Sequence, residues 1–282
     1  MKLTMFHVPL SGLDVDLCAF SGQMFRWIRT PDGIEGRDGS NGYRIRYWMG
    51  SYMVETTADQ PAFERLFRLD EDLATRLATQ HPNMAPLVQK YPGLRWMRPS
   101  CRREVFFGFM CSSNNNLPRI QGLVRKLGEL ENYNFPTLEQ LCSYEPPLLR
   151  MQGFGYRAPQ IYSAAQELRR RGGDDYLDEL ATQPYEAQIS ALLTFPGVGP
   201  KIADCIALYG FQNGLAVPFD THMWRAATRL YRPDWADRAP TAKQYRAMGD
   251  VMREEFGELA GLAHLYLFFD EMDTFRARSA VK

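Results

Sequence analysis

ISALLTFPGVGPKIADCIALYG, residues 189–210, reads as an apolar helix, a tight hairpin and a second helix. The hairpin is Pro196-Gly197-Val198-Gly199-Pro200. Gly197 and Gly199 lack a Cβ, so the turn can take positive φ and approach a ligand closely. Pro200 suits a first helical turn, where its missing N–H costs nothing. In the second helix Ile202, Ile206 and Tyr209 stand at i, i+4 and i+7 and define a buried face. The start of that helix points unpaired N–H groups and a positive dipole end out of the hairpin, which makes a seat for a phosphate. The same five residues would also serve as no more than a tight turn between helices.

Two residues near the hairpin carry chemistry. Lys201 falls in the first turn of the second helix, where the dipole favours negative charge. The ammonium is disfavoured there, which leaves more of the free amine that attacks carbon. The plain alternative is an exposed lysine paired with Asp204. Cys205, four residues on, shares the Lys201 face. Asp220 follows in LAVPFDTHMWRAATRLY, residues 215–231, where an apolar, strand-like run delivers it just before a helix. There it can cap the helix by accepting backbone N–H bonds and can also face the amine.

The rest of the chain falls into two patterns. MFRWIRT (24–30), YRIRYWMGSY (43–52) and MVETT (53–57) are rich in β-branched and aromatic residues, with turn material at PDG 31–33 and GSNG 39–42. From Pro61 the spacing of Phe63, Leu66, Phe67, Leu69, Leu73 and Leu77 becomes helical. From about Pro99 onward everything reads as helix: Val105, Phe106 and Phe109 make one apolar face, and Ile120, Leu123, Val124 and Leu127 another. Loops are marked by NFPT at 134–137, GGDD at 172–175 and YRPD at 231–234. Strands first and helices after predict an α+β chain. Its expected parts are an antiparallel sheet domain with flanking helix at 1–98 and a helical domain at 99–282.

Composition sets bounds. Hydrophobic residues make up 45% of the 282, enough for a substantial core. Lys+Arg and Asp+Glu each number 33, so the chain is not the strongly basic type that coats nucleic acid nonspecifically, though a local basic cleft remains open. Five cysteines, with no CxxC pair, speak against a disulfide framework, a zinc ribbon or an iron–sulfur cluster. His7, Asp14 and Asp16 interrupt the apolar residues of the N-terminal stretch, so no signal peptide is expected. No apolar run reaches the ~18 residues of a membrane span, and a soluble, cytoplasmic protein with reduced thiols is expected.

Four further stretches widen the pattern: SGQMFRW (21–27), CSSNNNLPRI (111–120), GFGYRA (153–158) and VPFDTHMW (217–224). Together with the hairpin, Lys201 and Asp220, they resemble in order, over most of the chain, the 8-oxoguanine DNA glycosylase/AP lyase family. That family is part of the helix–hairpin–helix glycosylase superfamily, whose signature is the hairpin, a Gly/Pro-rich link and an aspartate. A lysine after the hairpin marks its bifunctional members, which are also abasic-site lyases. The lack of a four-cysteine cluster sets this chain apart from the endonuclease III and adenine glycosylase branches.

The resemblance implies a role for each matched position. Lys201 would be the attacking amine and Asp220 the essential carboxylate. Gly22 would offer its carbonyl to the N7 hydrogen that oxidised guanine has and guanine lacks, and Cys205 and Phe268 would sandwich the flipped base. Asn114, Arg119 and Arg157 would hold the abandoned cytosine, Tyr156 would wedge beside it, and His222 would contact a phosphate. An aromatic wedge beside a planar donor fork suits a vacated base site, and Asn with Arg can satisfy the pairing edge of cytosine. Outside the motif, Tyr156 would simply pack under its loop and Asn114 to Asn116 would form turns and caps.

Implied partners are duplex DNA carrying 8-oxoguanine opposite cytosine, with the protein a monomer. No cofactor is implied beyond a structural monovalent or divalent cation at the hairpin, held by the backbone carbonyls of Leu193, Phe195 and Val198. Two positions depart from the family pattern. His264 stands where a glutamine commonly reads the base edge, which predicts looser, pH-sensitive reading, and Met24 replaces a small polar residue. The absence of a basic tail after the last helix fits a bacterial protein. Two rivals stay open: a same-fold glycosylase for alkylated purines, which would lack the lysine, and a non-catalytic hairpin module, which needs neither Lys201 nor Asp220.

Overall fold

The structure, a computed structural model, describes residues 3–131, 133–236 and 239–280. Its N-terminal part is a five-stranded antiparallel sheet: β1 Thr4–Pro9, β2 Trp27–Thr30, β3 Gly33–Asp38, β4 Asn41–Trp48 and β5 Ser51–Thr56, in the order β1-β5-β4-β3-β2. Turns fall at both expected places. A third, at Met49-Gly50, splits the YRIRYWMGSY run in two. Both turn residues have positive φ (46° and 79°), the geometry whose twist matches flanking strands.

Two strands were invisible to propensity. β3, GIEGRD, is all glycine and charge but for Ile34, and it pairs because Trp27 lies flat on it: a Cβ at Gly36 would sit 2.1 Å from the Trp27 ring. β1 escapes notice because it is an edge strand held by its partner, with Phe6 opposite Val54, and by the packing of Phe6 on Phe63. The buried sheet face, with Val8, Trp27, Tyr43, Ile45 and Val54, packs on Phe63, Leu66 and Phe67 of the Gln60–Leu66 helix and its end.

The remainder is helical, built around a second and larger core. Helix Leu73–Gln80 and the turn Pro82–Met84 after it place Leu77 and Met84 in that core, and Leu94 and Trp96 follow, while Met97 belongs to the sheet's core. The two cores therefore do not divide at a single point of the chain. A buried ion pair locks them together. Arg26 Nε donates to Glu104 Oε1 at 2.8 Å and Nη2 to Oε2, while further Arg26 donors reach the carbonyls of Gly39 and Tyr133 at 2.7 and 2.9 Å. Glu104 sits in the first turn of the Arg102–Met110 helix, where the dipole favours a carboxylate. Among the described residues, no helix is long and apolar enough to cross a membrane.

Candidate active site

The hairpin joins helix Tyr185–Leu192 to helix Pro200–Cys205, which runs on into a wider π turn, Ile206–Gly210. Gly197 has φ +78°, and a Cβ there would lie 2.8 Å from Gln160 Cβ. That glycine lets the hairpin rest on helix Arg157–Arg171. Gly199 has ordinary φ and open space around it; it is the N-cap, and its carbonyl accepts from Ala203 N–H at 2.9 Å.

A cavity of about 330 Å³ opens beside the second helix. Lys201 and Cys205 line it from that helix, and Gly22 from the loop before β2. Asp220 and His222 reach it from the start of helix Thr221–Tyr231, and His264 and Phe268 from the last helix, Ala260–Ala280. Four distant stretches of sequence thus meet in one place.

Lys201 Nζ donates to Ser112 Oγ at 3.0 Å and lies 5.7 Å from the centre of the Phe109 ring. It is not paired with Asp204. That carboxylate is buried and accepts the hydroxyls of Tyr185 and Tyr245 at 2.8 and 2.7 Å. Tyr245 oxygen in turn accepts Phe219 N–H at 3.2 Å, so the lysine helix is tied to the segment that carries Asp220. Asp220 is the cap it was expected to be: Oδ1 accepts His222 and Met223 N–H at 2.9 and 2.8 Å. Both bonds fall on one oxygen. Oδ2 accepts none among the described residues and is left for the cavity.

Two side chains of the cavity wall, Cys205 and His264, are uncharged at neutral pH. Burial pushes the Cys205 thiol up to about 12, against the pull of Lys201, so it packs as a neutral group. Burial likewise pushes His264 down to about 4, although the Asp220 charge and the Pro218 carbonyl act the other way. The ring is a neutral imidazole stacked on Phe268, with centroids 5.9 Å apart and planes 8° apart. The expected titration of His264 near neutrality does not survive its burial. Its Nδ1 has no partner among the described residues, as is true of His222 Nδ1. Phe268 also covers Gly22, whose added Cβ would meet Phe268 Cε1 at 3.6 Å.

The loop that presents Gly22 is braced from behind. Gln23 is buried; it donates to Ser21 Oγ and Arg95 O at 2.9 and 2.8 Å and accepts Met97 N–H at 2.8 Å. Met24 points away from the cavity into the sheet's core, so this departure from the family pattern leaves the cavity wall untouched.

Asn114, Arg119, Tyr156 and Arg157 do not line the cavity; they gather beside it around residues 113–119. Tyr156 hydroxyl donates to Ser113 O at 2.9 Å, and its ring is half exposed. Arg157 is only 2% exposed: Nη2 donates to the carbonyls of Ser113 and, at 3.2 Å, Asn114, and the guanidinium lies 4.5 Å over Tyr156. Asn116 caps helix Leu117–Glu129 by accepting Arg119 N–H at 3.1 Å, and Asn115 donates to Cys111 O at 3.0 Å. Asn114, with φ +44°, is exposed and left for other uses. Sequence reasoning gave no role to Ser112 or Gln23, and it gave Asp204 and Tyr209 other ones, a lysine partner and a buried face. The first two lie inside the motifs quoted above, where polar residues look like ligand contacts rather than braces.

Residues 107–249 match the family model described as HhH-GPD superfamily base excision DNA repair protein. The chain is 32% identical to N-glycosylase/DNA lyase OGG1 of Arabidopsis thaliana over 96% of its length and 80% of that protein's. It is 36% identical to the probable N-glycosylase/DNA lyase of Methanothermobacter thermautotrophicus, over 93% of this chain and 94% of that one. The crystal structure of Clostridium acetobutylicum 8-oxoguanine glycosylase/lyase in complex with duplex DNA containing cytosine opposite 8-oxoG shares the fold. Its TM-score is 0.83 at 23% identity, with 97% and 98% of the two chains covered. The chain belongs to the HhH-GPD superfamily of base excision DNA repair proteins and, within it, to the N-glycosylase/DNA lyases.

Proposed function

We propose that this chain is a bifunctional glycosylase/AP lyase that removes 8-oxoguanine paired with cytosine from duplex DNA and nicks the strand at the resulting abasic site. The observation that carries the reading is the meeting of Lys201 and Asp220 on one cavity whose remaining walls, Gly22, Cys205 and Phe268, suit a flat, neutral base.

The lesion leaves the stack, since its sugar carbon is out of reach inside the duplex. The Lys201 amine forms a bond to the anomeric carbon as the bond from that carbon to the base breaks. Asp220, with one oxygen committed to its helix and the other not, stabilises the positive charge that develops on the sugar. Proton transfer opens the sugar to a Schiff base. β-Elimination then removes a proton from C2′, forms the C2′–C3′ double bond and breaks the C3′–O bond, releasing the 3′ strand as its phosphate. Substitution and elimination involve no net oxidation, so no redox cofactor takes part.

In this reading the Gly22 carbonyl accepts the N7 hydrogen, Cys205 and Phe268 hold the two faces of the base, and His264 offers Nδ1 toward its edge. Asn114, Arg119 and Arg157 attend the cytosine, Tyr156 fills the gap, and His222 with Gly197 and Gly199 of the hairpin holds phosphates. A cation at the hairpin would rest on the carbonyls of Leu193, Phe195 and Val198. The Phe195 carbonyl already accepts Val198 N–H at 3.1 Å, which leaves it one lone pair for a metal. The protein acts as a monomer, with the sheet part at 1–98 and the helical part at 99–282 meeting the DNA as one body.

Incision of duplexes carrying 8-oxoguanine opposite each of the four bases tests the reading, with alkylated purine duplexes alongside. Base release and strand cleavage should be strongest opposite cytosine. Release of alkylated purines without any nick would contradict it.

A further inference from the structure

We infer that Ser112 is a positioning residue for the nucleophile, holding the Lys201 amine strictly as a hydrogen-bond donor so that its lone pair stays available for attack; this rests on the lysine mechanism proposed above. Ser112 is buried just past the end of helix Arg102–Met110. Its Oγ lies 2.6 Å from the Phe109 carbonyl and 3.0 Å from Lys201 Nζ. The carbonyl carries no hydrogen, so the single hydroxyl hydrogen of Ser112 goes there. Only lone pairs remain on Oγ for the second contact, and the hydrogen in that contact comes from Nζ. Were the roles reversed, the hydroxyl would donate into the nitrogen lone pair, the electrons that must form the C–N bond.

The direction of the bond is built in at the backbone. The Phe109 carbonyl is one of the acceptors a helix leaves unpaired at its C-terminus, and it also takes Ser112 N–H at 2.9 Å. Ser112 is thus held at both its backbone and its side chain. A serine bonded to the carbonyl three residues back is by itself an ordinary helix ending. The bond to a lysine 89 residues away is not local and serves no helix. Beneath the amine lies the Phe109 ring, with Tyr209 stacked on it at 5.4 Å, and the Cys205 thiol is a second, weaker polar partner of Nζ.

The test is the single-turnover rate of borohydride-trapped adduct on a duplex with 8-oxoguanine opposite cytosine, read beside lesion-duplex binding and melting temperature. Ser112→Ala should trap about tenfold more slowly, the size of one hydrogen bond to a reacting group, with binding within about twofold of wild type. Ser112→Thr keeps a hydroxyl and should recover the rate; Ser112→Val has the same shape without one and should not. A wild-type rate in Ser112→Ala, or equal rates in the Thr and Val variants, would overturn the proposal. So would a loss of binding that matches the loss of rate, since that is what a purely structural serine would give. Lys201→Gln separates this failure from that of the wider reading: if it traps undiminished, the lysine mechanism falls and this role with it. If it traps nothing while Ser112→Ala is unaffected, only the role of Ser112 falls.

Discussion

At the scale of single residues, burial decides which groups are charged. His264 has the chemistry of a neutral-pH switch in sequence, but its site is buried and its ring lies on Phe268, which drops it to about 4. Excision by wild type and His264→Gln should therefore run in parallel between pH 6 and 8 and separate only as the pH falls toward 4, where the ring takes a proton. Profiles that diverge near pH 6.5 would show the ring to be more open to water than its burial implies. Arg157 is also changed by its surroundings. Its Nη2 is engaged by the carbonyls of Ser113 and Asn114, so Arg157→Ala removes two ties, leaves Ser113 O to the Tyr156 hydroxyl alone and slackens the loop that bears Asn114. The variant should lose about 1–3 kcal/mol of stability and with it much of the preference for cytosine over adenine opposite the lesion. Full retention of that preference would remove Arg157 from reading the opposite base. His264 and Phe268 lie outside the short ordered motifs; most candidate residues sit in them and were legible in the sequence for that reason. Which partners they would have was not: the ties of Ser112 to Lys201 and of Tyr185 and Tyr245 to Asp204 span long stretches of chain and exist only after folding.

Elements show where local rules suffice and where they fail. Helix starts follow local rules: Asp59, Asp72, Thr137, Asp220 and Thr241 each accept a backbone N–H two or three residues on, and of these the cap at Asp220 was read from the sequence. β3 was not readable, since what makes it a strand is the Trp27 ring across from Gly36. The hairpin falls between the two cases. Its glycines were visible, but their reasons differ. Gly197→Ala places a Cβ against Gln160 in a positive-φ position and should cost about 1–3 kcal/mol, lowering the melting temperature and lesion binding together. Gly199→Ala adds a methyl to open space at ordinary φ and should cost no more than about 1 kcal/mol of stability. Melting curves for the pair check the contrast, and equal destabilisation would mean the hairpin does not rest on its neighbouring helix as described.

In the whole molecule, the sheet and the helices form one body clamped at Arg26 and Glu104, and that clamp has a cost nearby. Asp38 is buried beside it with one backbone bond, from Ser100 N–H at 2.8 Å, and burial, with the Glu104 charge, raises its carboxyl to about 7. A carboxyl raised in the folded state holds its proton more tightly there than in the unfolded chain. Its contribution to stability is present below the usual value near 3.8 and is lost as the pH rises through about 7. Asp38→Asn should then melt higher than wild type at pH 8, by roughly 3 °C for each kcal/mol regained, and the gap should narrow below pH 7 and close only as the pH falls to about 3.8. A pH-independent gap would show that Asp38 is ionised throughout. The α+β order of strands before helices was plain from the sequence, yet the balanced net charge pointed weakly away from DNA. Bulk charge averages over a surface, whereas a base-excision site depends on a few groups in one cavity. The central claim is that Lys201 forms the covalent bond to the sugar. Peptide mapping of the borohydride-reduced adduct on a duplex with 8-oxoguanine opposite cytosine tests it most directly. The reduced sugar should be found on the peptide containing Lys201, and its recovery on another lysine or on the N-terminal amine would contradict the account.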